Sequence, residues 1–327
     1  MKYSIIVPVF NRPDEVDELL SSLLNQTFTD FEVLIVEDGS QKPCDEVCNK
    51  YADRLDLHYF MKPNSGPGQS RNYGAERAKG EYLLILDSDV VLPKGYLNAI
   101  EEELKREPAD AFGGPDAAHE SFTDTQKAIS YSMTSFFTTG GIRGGKKKLD
   151  KFYPRSFNMG IRHDVYMELE GFSKMRFGED IDFSIRIFKA GKRCRLFPEA
   201  WVWHKRRTDL KKFFKQVHNF GIARINLTQR HPGTLKIVHL LPAVFTIGCC
   251  LLLLIVFFCP WAWALLTLYA LLVFIDAGIR SLLVGLLAVP AAFVQLIGYG
   301  TGFLRAWWRQ RVLGKSEFEA FKKNFYK

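Results

Sequence analysis

The sequence predicts an α/β protein with a doubly wound, mostly parallel sheet, followed by C-terminal transmembrane helices. Three observations support this fold class. Strand-like and helix-like segments alternate through the first part of the chain, as in parallel sheets covered by helices on both faces. Two acidic clusters directly follow predicted strands, and the C-terminal third holds a long, almost uncharged apolar stretch.

The first elements are predicted from apolar runs and their periodicity. The β-branched run Ser4–Val9 has the composition of a strand buried on both faces of a parallel sheet. Asp14 begins a helical pattern, and further strands are predicted at Phe31–Val36, Asp56–Phe60 and Tyr82–Leu86. Residues 112–157 are expected to be less regular. Later elements are predicted at 163–169 and 179–190 (helices) and 194–197 (strand).

Three acidic clusters are candidates for chemistry. Asp87-Ser88-Asp89 and Glu37-Asp38-Gly39-Ser40 each follow a predicted strand, and Gly178-Glu179-Asp180 begins a predicted helix. Because ligands bind beyond the carboxyl ends of the strands in doubly wound sheets, the first two clusters are expected at one binding edge. Each cluster also has an ordinary structural explanation as a cap, a turn or a helix start.

The residue types suggest a different role for each acid. Asp89 is the better candidate for direct ligation of Mg²⁺ or Mn²⁺, while Asp87 is placed to meet a ribose or a metal-bound water. Asp38 is an acceptor for the imide proton of a uracil or the amino group of another base. Asp180 is a candidate general base for an acceptor hydroxyl. Asp182 lies two residues after Asp180 and so points in a different direction from the helix. It is therefore predicted to be structural.

Two further side chains extend the predicted site. Arg71, in the glycine-rich stretch 64–72, either contacts a base or diphosphate or lies on a solvated helix face. That stretch lacks the Gly-Lys-Ser/Thr of a phosphate-binding loop. His204 is a candidate third metal ligand or a donor to the diphosphate, although a lone histidine is more often an ordinary polar residue.

These motifs together resemble family 2 glycosyltransferases with the A-type glycosyltransferase fold, over about residues 1–205. The matching segments are 4–11, 37–40, Asn72 with Gly74-Ala75, Gly80-Glu81-Tyr82, 87–89 and 178–182. The resemblance implies an inverting, single-displacement reaction that needs a divalent metal, Mn²⁺ or Mg²⁺. A UDP-sugar is the donor that the family most often uses, and guanosine or thymidine donors remain open.

The resemblance also implies residue roles. The base would be held by Asp38, the ribose and the metal by Asp87 and Asp89, and the acceptor proton would be taken by Asp180. Pro8 and Asn11 would line the nucleotide pocket through backbone or amide groups. The Gln-x-x-Arg-Trp pattern of processive synthases is missing, since 216–224 does not match it, so we expect one sugar to be transferred per encounter. Glu37 stands where many relatives have aspartate.

The C-terminal third predicts a membrane region. Between Ile237 and Leu304 the only Asp, Glu, Lys or Arg residues are Asp276 and Arg280, which are spaced to pair as i and i+4. Ile237–Cys259 is long enough to span a bilayer. Leu265–Leu304 holds one further crossing with an interfacial segment, or two crossings. Basic flanks favour an even number of crossings, whereas length alone allows three.

The net charge of +8 is concentrated on both sides of the apolar stretch. Basic residues dominate 205–236 and return after Leu304, which indicates cytoplasmic flanks that attract anionic lipid. The start of the chain shows no secretory signal. We therefore expect a multi-pass protein of the cytoplasmic (inner) membrane with its catalytic domain in the cytoplasm. The basic clusters accompany no nucleic-acid motif, so no nucleic-acid partner is expected.

Four segments are predicted: a catalytic glycosyltransferase domain (1–204), a basic juxtamembrane segment (205–236), transmembrane helices (237–304) and a basic cytoplasmic tail (305–327). The leading hypothesis is transfer of a single sugar from a nucleotide-diphosphate sugar to a lipid-linked or glycan acceptor, in surface polysaccharide or lipopolysaccharide assembly. The alternatives are transfer to a polyprenyl phosphate and, in a different class, an inactive membrane scaffold. A nucleotidyltransferase would need a glycine- and lysine-rich triphosphate loop near the first strand, which this chain lacks.

Overall fold

The computed structural model describes residues 1–117, 122–140, 152–175, 177–205, 208–279 and 281–317. These residues form two compact units. The first unit contains 1–117, 152–175 and 177–204, and the second contains 122–140, 205, 208–279 and 281–317. Arg206, Arg207, Arg280 and the end of the predicted tail lie outside the described residues.

The first unit is built on a mostly parallel sheet. Its strands are β1 (Tyr3–Val9), β2 (Phe31–Asp38), β3 (Leu57–Lys62), β4 (Tyr82–Leu86), β5 (Val90–Val91), β6 (Ala111–Gly113), β7 (Asp116–Ala117), β8 (Asn158–Arg162), β9 (Cys194–Leu196) and β10 (Val202–His204). Within the described chain, seven strands pair in the order β3-β2-β1-β4-β8-β6-β9, and a small sheet has the order β5-β10-β7. Strands β1 to β4 are parallel, whereas β8 runs antiparallel to both of its neighbours.

The helices alternate with these strands and then continue into the C-terminal region. They are α1 (Pro13–Leu24), α2 (Asp45–Asn49), α3 (Pro67–Ala75), α4 (Tyr96–Arg106), α5 (Asp124–Thr134), α6 (Phe136–Thr139), α7 (His163–Glu168), α8 (Glu179–Lys189), α9 (Leu210–Arg230), α10 (Leu241–Ile255), α11 (Trp263–Gly278) and α12 (Leu282–Trp307). Buried apolar clusters fill both faces of the large sheet. The predicted α/β class with a mostly parallel sheet is therefore confirmed.

The strand register brings the strand ends to one edge of the sheet. Val9 of β1 pairs with Glu37 of β2, and Asp38 of β2 pairs with Lys62 of β3. Strand β4 pairs with β1 on the other side and ends directly before Asp87. Because parallel strands all point the same way, the residues that follow β1, β2 and β4 meet at this carboxyl-terminal edge.

The prediction that 112–157 is irregular was wrong in part. Strand β7 and helices α5 and α6 lie within this range. The Thr123 hydroxyl accepts a hydrogen bond from the Gln126 amide, and the Gln126 side chain accepts one from the Thr123 amide. This reciprocal cap satisfies two amides at the start of α5. The Thr-x-x-Gln spacing is visible in the sequence and could have predicted the helix.

The second unit is dominated by apolar helices. Two helical stretches, Pro260–Gly278 and Leu282–Val312, are long and apolar enough to be candidate membrane spans, by length and composition. Within the predicted first crossing, Ile237–Cys259, the α-helix covers only Leu241–Ile255, which is shorter than the approximately 20 residues that a crossing needs. Large apolar side chains such as Phe258 and Trp261 are more than four-fifths exposed.

Candidate active site

Asp38 is held rigidly at the end of β2. Its Oδ1 accepts a hydrogen bond from the Ser65 amide at 2.9 Å, and its Oδ2 accepts one from the Gly66 amide at 2.8 Å. Lys62, its register partner on β3, forms an ion pair with the same carboxylate. The side chain of Asp38 is 5% exposed. The glycine-rich turn before α3 is therefore fixed against the end of β2.

The turn after β2 depends on Gly39. Its φ of +72° lies in the left-handed region, which favours glycine. A Cβ at this position would also lie 2.8 Å from the backbone nitrogen of Asn64. Glycine is therefore required here both by the backbone conformation and by the close approach of the neighbouring turn.

Asn11, at the end of β1, is tied to the same turn. Its Oδ1 accepts hydrogen bonds from the amides of Gln41 and Lys42 at 2.8 and 3.0 Å, and its own amide donates to Ser40 Oγ at 2.7 Å. Pro8 lies within β1 opposite Val36 of β2. Both residues are thus at or near the carboxyl-terminal edge, and their predicted contacts with a nucleotide stay predictions.

The acids after β4 lie beside a histidine. Strand β10 pairs antiparallel with β5, which places His204 opposite Val90 and next to Asp89. The Nε2 of His204 lies 3.2 Å from Asp89 Oδ1. One ligand atom from each of Asp87, Asp89 and His204 lies within 4.8 Å of the others. The Phe157 ring stacks on the imidazole at a centroid distance of 4.6 Å and limits its orientation.

Arg71 joins two of the acidic clusters. It is 3% exposed, and its guanidinium lies 2.7 Å from Asp87 Oδ1 and 3.3 Å from Glu179 Oε1. Burial opposes its ionisation, but the charges of Asp87 and Glu179 outweigh burial and raise the pKa of Arg71 above its usual value. The guanidinium carbon also lies 5.1 Å from the centre of the Phe172 ring. The start of α8 is therefore held beside the end of β4.

Asp180 is the first-turn residue of α8 that follows Glu179. Its Oδ2 lies 3.3 Å from Nη1 of Arg155, and its Oδ1 accepts a hydrogen bond from the Ile181 amide at 2.8 Å. The Ser184 hydroxyl contacts the carbonyls of both Pro154 and Asp180, at 3.1 and 2.8 Å. This contact fixes the segment that carries Arg155 against α8.

Asp182, by contrast, is engaged in the structure of α8 itself. Its Oδ2 accepts hydrogen bonds from the Arg186 guanidinium at 3.0 Å and from the Ser173 hydroxyl at 2.8 Å. The residue is 4% exposed. Asp180 and Asp182 therefore differ in environment although they are two residues apart.

Basic side chains accompany the acids of this edge. Arg12 forms a close ion pair with Glu15, and its Nη1 lies 3.9 Å from Asp89 Oδ2. The hydrogen bond to Glu15, with smaller contributions from nearby acids, raises the pKa of Arg12. Sequence reasoning missed Arg12, Lys62 and Arg155. The position of Lys62 at a strand end next to β2 was a usable signal, whereas Arg155 follows a stretch with no clear periodicity.

The group formed by Asp87, Asp89 and His204 has the donor atoms of a divalent-metal site. Carboxylate oxygens suit Mg²⁺ or Mn²⁺, and an imidazole nitrogen is the softer ligand, which favours Mn²⁺ of the two. The ligand atoms already converge, since all lie within 4.8 Å. The residues present therefore fit the predicted metal.

Comparison with known proteins places this sequence among glycosyltransferases. The sequence profile described as "Glycosyl transferase family 2" matches residues 4–169, about half of the chain. An uncharacterized glycosyltransferase from Rickettsia felis is 34% identical over 137 residues, which cover 42% of this chain and 22% of that protein. Poly(ribitol-phosphate) beta-N-acetylglucosaminyltransferase TarS from Staphylococcus aureus is 41% identical over 98 residues, 29% of this chain and 17% of that protein. The chain thus matches less than a quarter of the length of these two relatives.

Solved structures share the fold. Mannosyltransferase PcManGT from Pyrobaculum calidifontis, in complex with GDP-Man and Mn²⁺, has a TM-score of 0.63 at 17% identity and covers 90% of this chain and 87% of its own. S. aureus TarS 1–349 in complex with UDP-GlcNAc has a TM-score of 0.52 at 18% identity, with coverages of 97% and 93%. The expected A-type glycosyltransferase fold is confirmed, and with the matching profile it follows that the chain belongs to glycosyl transferase family 2.

Proposed function

We propose that this glycosyltransferase moves one sugar per encounter, with inversion, from a nucleotide-diphosphate sugar to a lipid-linked or glycan acceptor at the cytoplasmic membrane face. One observation carries the proposal. Asp87, Asp89 and His204 converge at the carboxyl-terminal edge of the sheet, and Arg71 holds the start of α8, with Asp180, beside them. A candidate metal site and a candidate base therefore occur together.

The donor would be held by residues at the ends of β2 and β4. Asp38 is fixed as an acceptor for an N–H group on the edge of the base, because protein donors already orient both of its oxygens. Asp87, Asp89 and His204 would hold the divalent ion. When bound, that ion neutralises charge on the departing diphosphate.

Asp180 would perform the proton transfer. The acceptor hydroxyl attacks the anomeric carbon from the side opposite the diphosphate, and Asp180 takes its proton as the new C–O bond forms. The bond from the anomeric carbon to the diphosphate oxygen breaks, so one displacement inverts the anomeric centre. Arg155 is the side chain that positions the Asp180 carboxylate, at 3.3 Å.

The donor is proposed to be a UDP-sugar. The sequence relative TarS has a structural complex with UDP-GlcNAc, whereas the neighbour PcManGT has one with GDP-Man and Mn²⁺. Uracil and guanine both present an N–H group that can donate a hydrogen bond to a carboxylate such as Asp38. A donor screen must therefore include both nucleotides.

The acceptor is proposed to be confined to a membrane. Support comes from the two candidate spans and from α9, on which Lys211, Lys212 and Lys215 are exposed. Exposed lysines next to an apolar region attract anionic lipid and phosphorylated lipid acceptors. Assembly of surface polysaccharide or lipopolysaccharide is the process we propose, with direct transfer to a polyprenyl phosphate as the alternative that the same charges would favour.

The test uses the full chain, purified in detergent, with nucleotide sugars, Mn²⁺ and membrane lipid extract. The proposal predicts metal-dependent donor turnover and a lipid product that carries one added sugar. A disaccharide–lipid product supports extension of a glycan, and a sugar–phosphate lipid supports the alternative. If thermal melting shows that the protein is folded but no nucleotide sugar is turned over, the proposal is contradicted. That result would favour the hypothesis of an inactive membrane scaffold.

A further inference from the structure

A second cluster of metal-binding side chain types lies at the opposite edge of the sheet. Glu32 is near the start of β2, Asp56 directly precedes β3, and His58 is in β3. The Nε2 of His58 lies 3.0 Å from Asp56 Oδ1 and 3.4 Å from Glu32 Oε2. One ligand atom from each of the three residues lies within 4.8 Å of the other two.

This cluster is separate from the candidate active site. Glu32 and Asp38 are the second and last residues of β2, six positions apart. At about 3.3 Å per residue the two ends of this stretch are roughly 20 Å apart. The cluster therefore lies at the amino-terminal edge of the sheet, where no step of the proposed transfer takes place.

The buried carboxylate of Glu32 is only half satisfied. The residue is 0% exposed, and its Oε1 accepts hydrogen bonds from the Ser4 hydroxyl at 2.6 Å and the Lys79 amide at 2.7 Å. Within the part of the chain that the structure describes, Glu32 Oε2 and His58 Nε2 are both buried atoms without a hydrogen bond. An N–H on Nε2 of His58 would point at neither Glu32 nor Asp56, although an oxygen of each carboxylate lies within 3.4 Å of this nitrogen.

A cation between these atoms would satisfy all of them. Zinc bound to nitrogen and oxygen ligands at 2.0–2.1 Å in a tetrahedron places neighbouring ligand atoms about 3.3 Å apart. The separations of 3.0 and 3.4 Å around His58 Nε2 agree with that spacing. Two carboxylates and a neutral imidazole also balance the charge of one divalent ion, which offsets the cost of burying Glu32. Zinc commonly uses this mixture of imidazole and carboxylate ligands.

We propose that Glu32, Asp56 and His58 bind one Zn²⁺ ion, with water as the fourth ligand on the side where Asp56 is 48% exposed. Such an ion links β2 to β3, which is an edge strand of the large sheet. An edge strand has hydrogen-bonded neighbours on one side only, so a metal link across its start limits fraying. The role is structural, and it is independent of the proposed transferase reaction.

The test measures zinc in full-length protein that carries Asp89→Ala, so that the candidate catalytic cluster contributes less to binding. After chelation, Zn²⁺ is returned and bound metal is counted by equilibrium dialysis and elemental analysis. We compare this protein with variants that add His58→Gln or, as the control, Asp53→Asn, an exposed acid three positions before Asp56 in the sequence. Glu32 is kept because it also holds Ser4 and Lys79.

We expect His58→Gln to lose one equivalent of Zn²⁺ and the zinc-dependent rise in melting temperature, while Asp53→Asn keeps both. Cobalt in place of zinc should give tetrahedral visible absorption that His58→Gln removes. Equal zinc stoichiometry in the His58→Gln and control proteins would overturn the proposal. So would a difference in melting temperature that is the same with zinc and with chelator, since that result indicates only a protonated His58 paired with the carboxylates.

Discussion

The two edges of the large sheet both gather carboxylates, but they balance the charge differently. At the carboxyl-terminal edge, Asp38 pairs with Lys62 and Asp87 pairs with Arg71. At the amino-terminal edge, the ion pairs of Glu32 and Asp56 within the described residues involve only His58. The basic side chains at the first edge suit an anionic ligand bound together with a metal ion. The second edge suits a metal ion bound without an anionic ligand.

This difference follows from what surrounds each edge. At the carboxyl-terminal edge, loops and helix starts bring in basic side chains from three separate parts of the chain: Arg12, Arg71 and Arg155. At the amino-terminal edge, Glu32 instead accepts hydrogen bonds from two uncharged donors, the Ser4 hydroxyl and the Lys79 amide. Substitutions that change one edge should therefore leave the other intact.

The largest effect is expected for Asp89→Ala. This change removes one carboxylate from the group with Asp87 and His204, so metal-dependent binding of a nucleotide sugar should be lost, and turnover with it. Isothermal titration with the donor, with and without Mn²⁺, measures the effect. The exposed-acid variant Asp53→Asn serves as the matched control and should bind donor as the unmodified protein does. Donor binding that is unchanged in Asp89→Ala would remove this residue from the metal site.

Asp180→Asn should affect chemistry without affecting binding. The amide keeps the shape of the side chain but cannot accept the proton, and loss of a general base typically costs about 10²- to 10⁴-fold in rate. Single-turnover rates at saturating donor separate this step from binding. Ordinary turnover in Asp180→Asn would reassign the base, even if the metal site behaved as expected.

Arg71→Met tests the link between β4 and α8. Removing the guanidinium leaves Asp87 and the buried Glu179 without their shared partner, and breaking a buried ion pair in this way costs about 3 kcal/mol or more of stability. Chemical unfolding of the full chain in detergent measures this loss. A stability equal to that of the unmodified protein would show that Arg71 is not needed to hold α8.

Lys62→Met should have the smallest effect. Asp38 would keep its two backbone donors, Ser65 and Gly66, but lose the ammonium that fixes it from the β3 side. We expect the KM for donor to rise about tenfold, which corresponds to one charged hydrogen bond, with little change in kcat. A fall in kcat at unchanged KM would mean that Lys62 acts on the reaction rather than on the nucleotide.

Much of the fold could be predicted from the sequence, because the pattern that marks strands β1, β2 and β4 lies within each strand itself. These strands each contain an uninterrupted apolar run of four or more residues, so their burial is encoded in the residues themselves. Strand β8 was not predicted, because Asn158–Arg162 contains a glycine and two polar residues and takes its place through pairing with β4 and β6. Non-local pairing of this kind leaves little local signal.

The site was predictable where its residues follow strands or begin a helix. Asp38, Asp87 and Asp89 lie at strand ends, and Asp180 was a candidate because it lies in the acidic start of a predicted helix. The pairing of Arg155 with Asp180 could not be predicted, since it depends on how two segments that are distant in sequence pack together. The place of His204 beside Asp89 likewise depends on the pairing of two short strands, β5 and β10.

The proposed metal site is tested most directly by the location of manganese in crystals of the full chain grown with UDP and Mn²⁺. Anomalous scattering at the manganese edge shows the ion without reference to activity. We expect a peak between Asp89 and His204, next to the diphosphate, and no UDP-dependent peak at Glu32. A manganese peak that contacts the diphosphate but neither Asp89 nor His204 would contradict the proposed metal site.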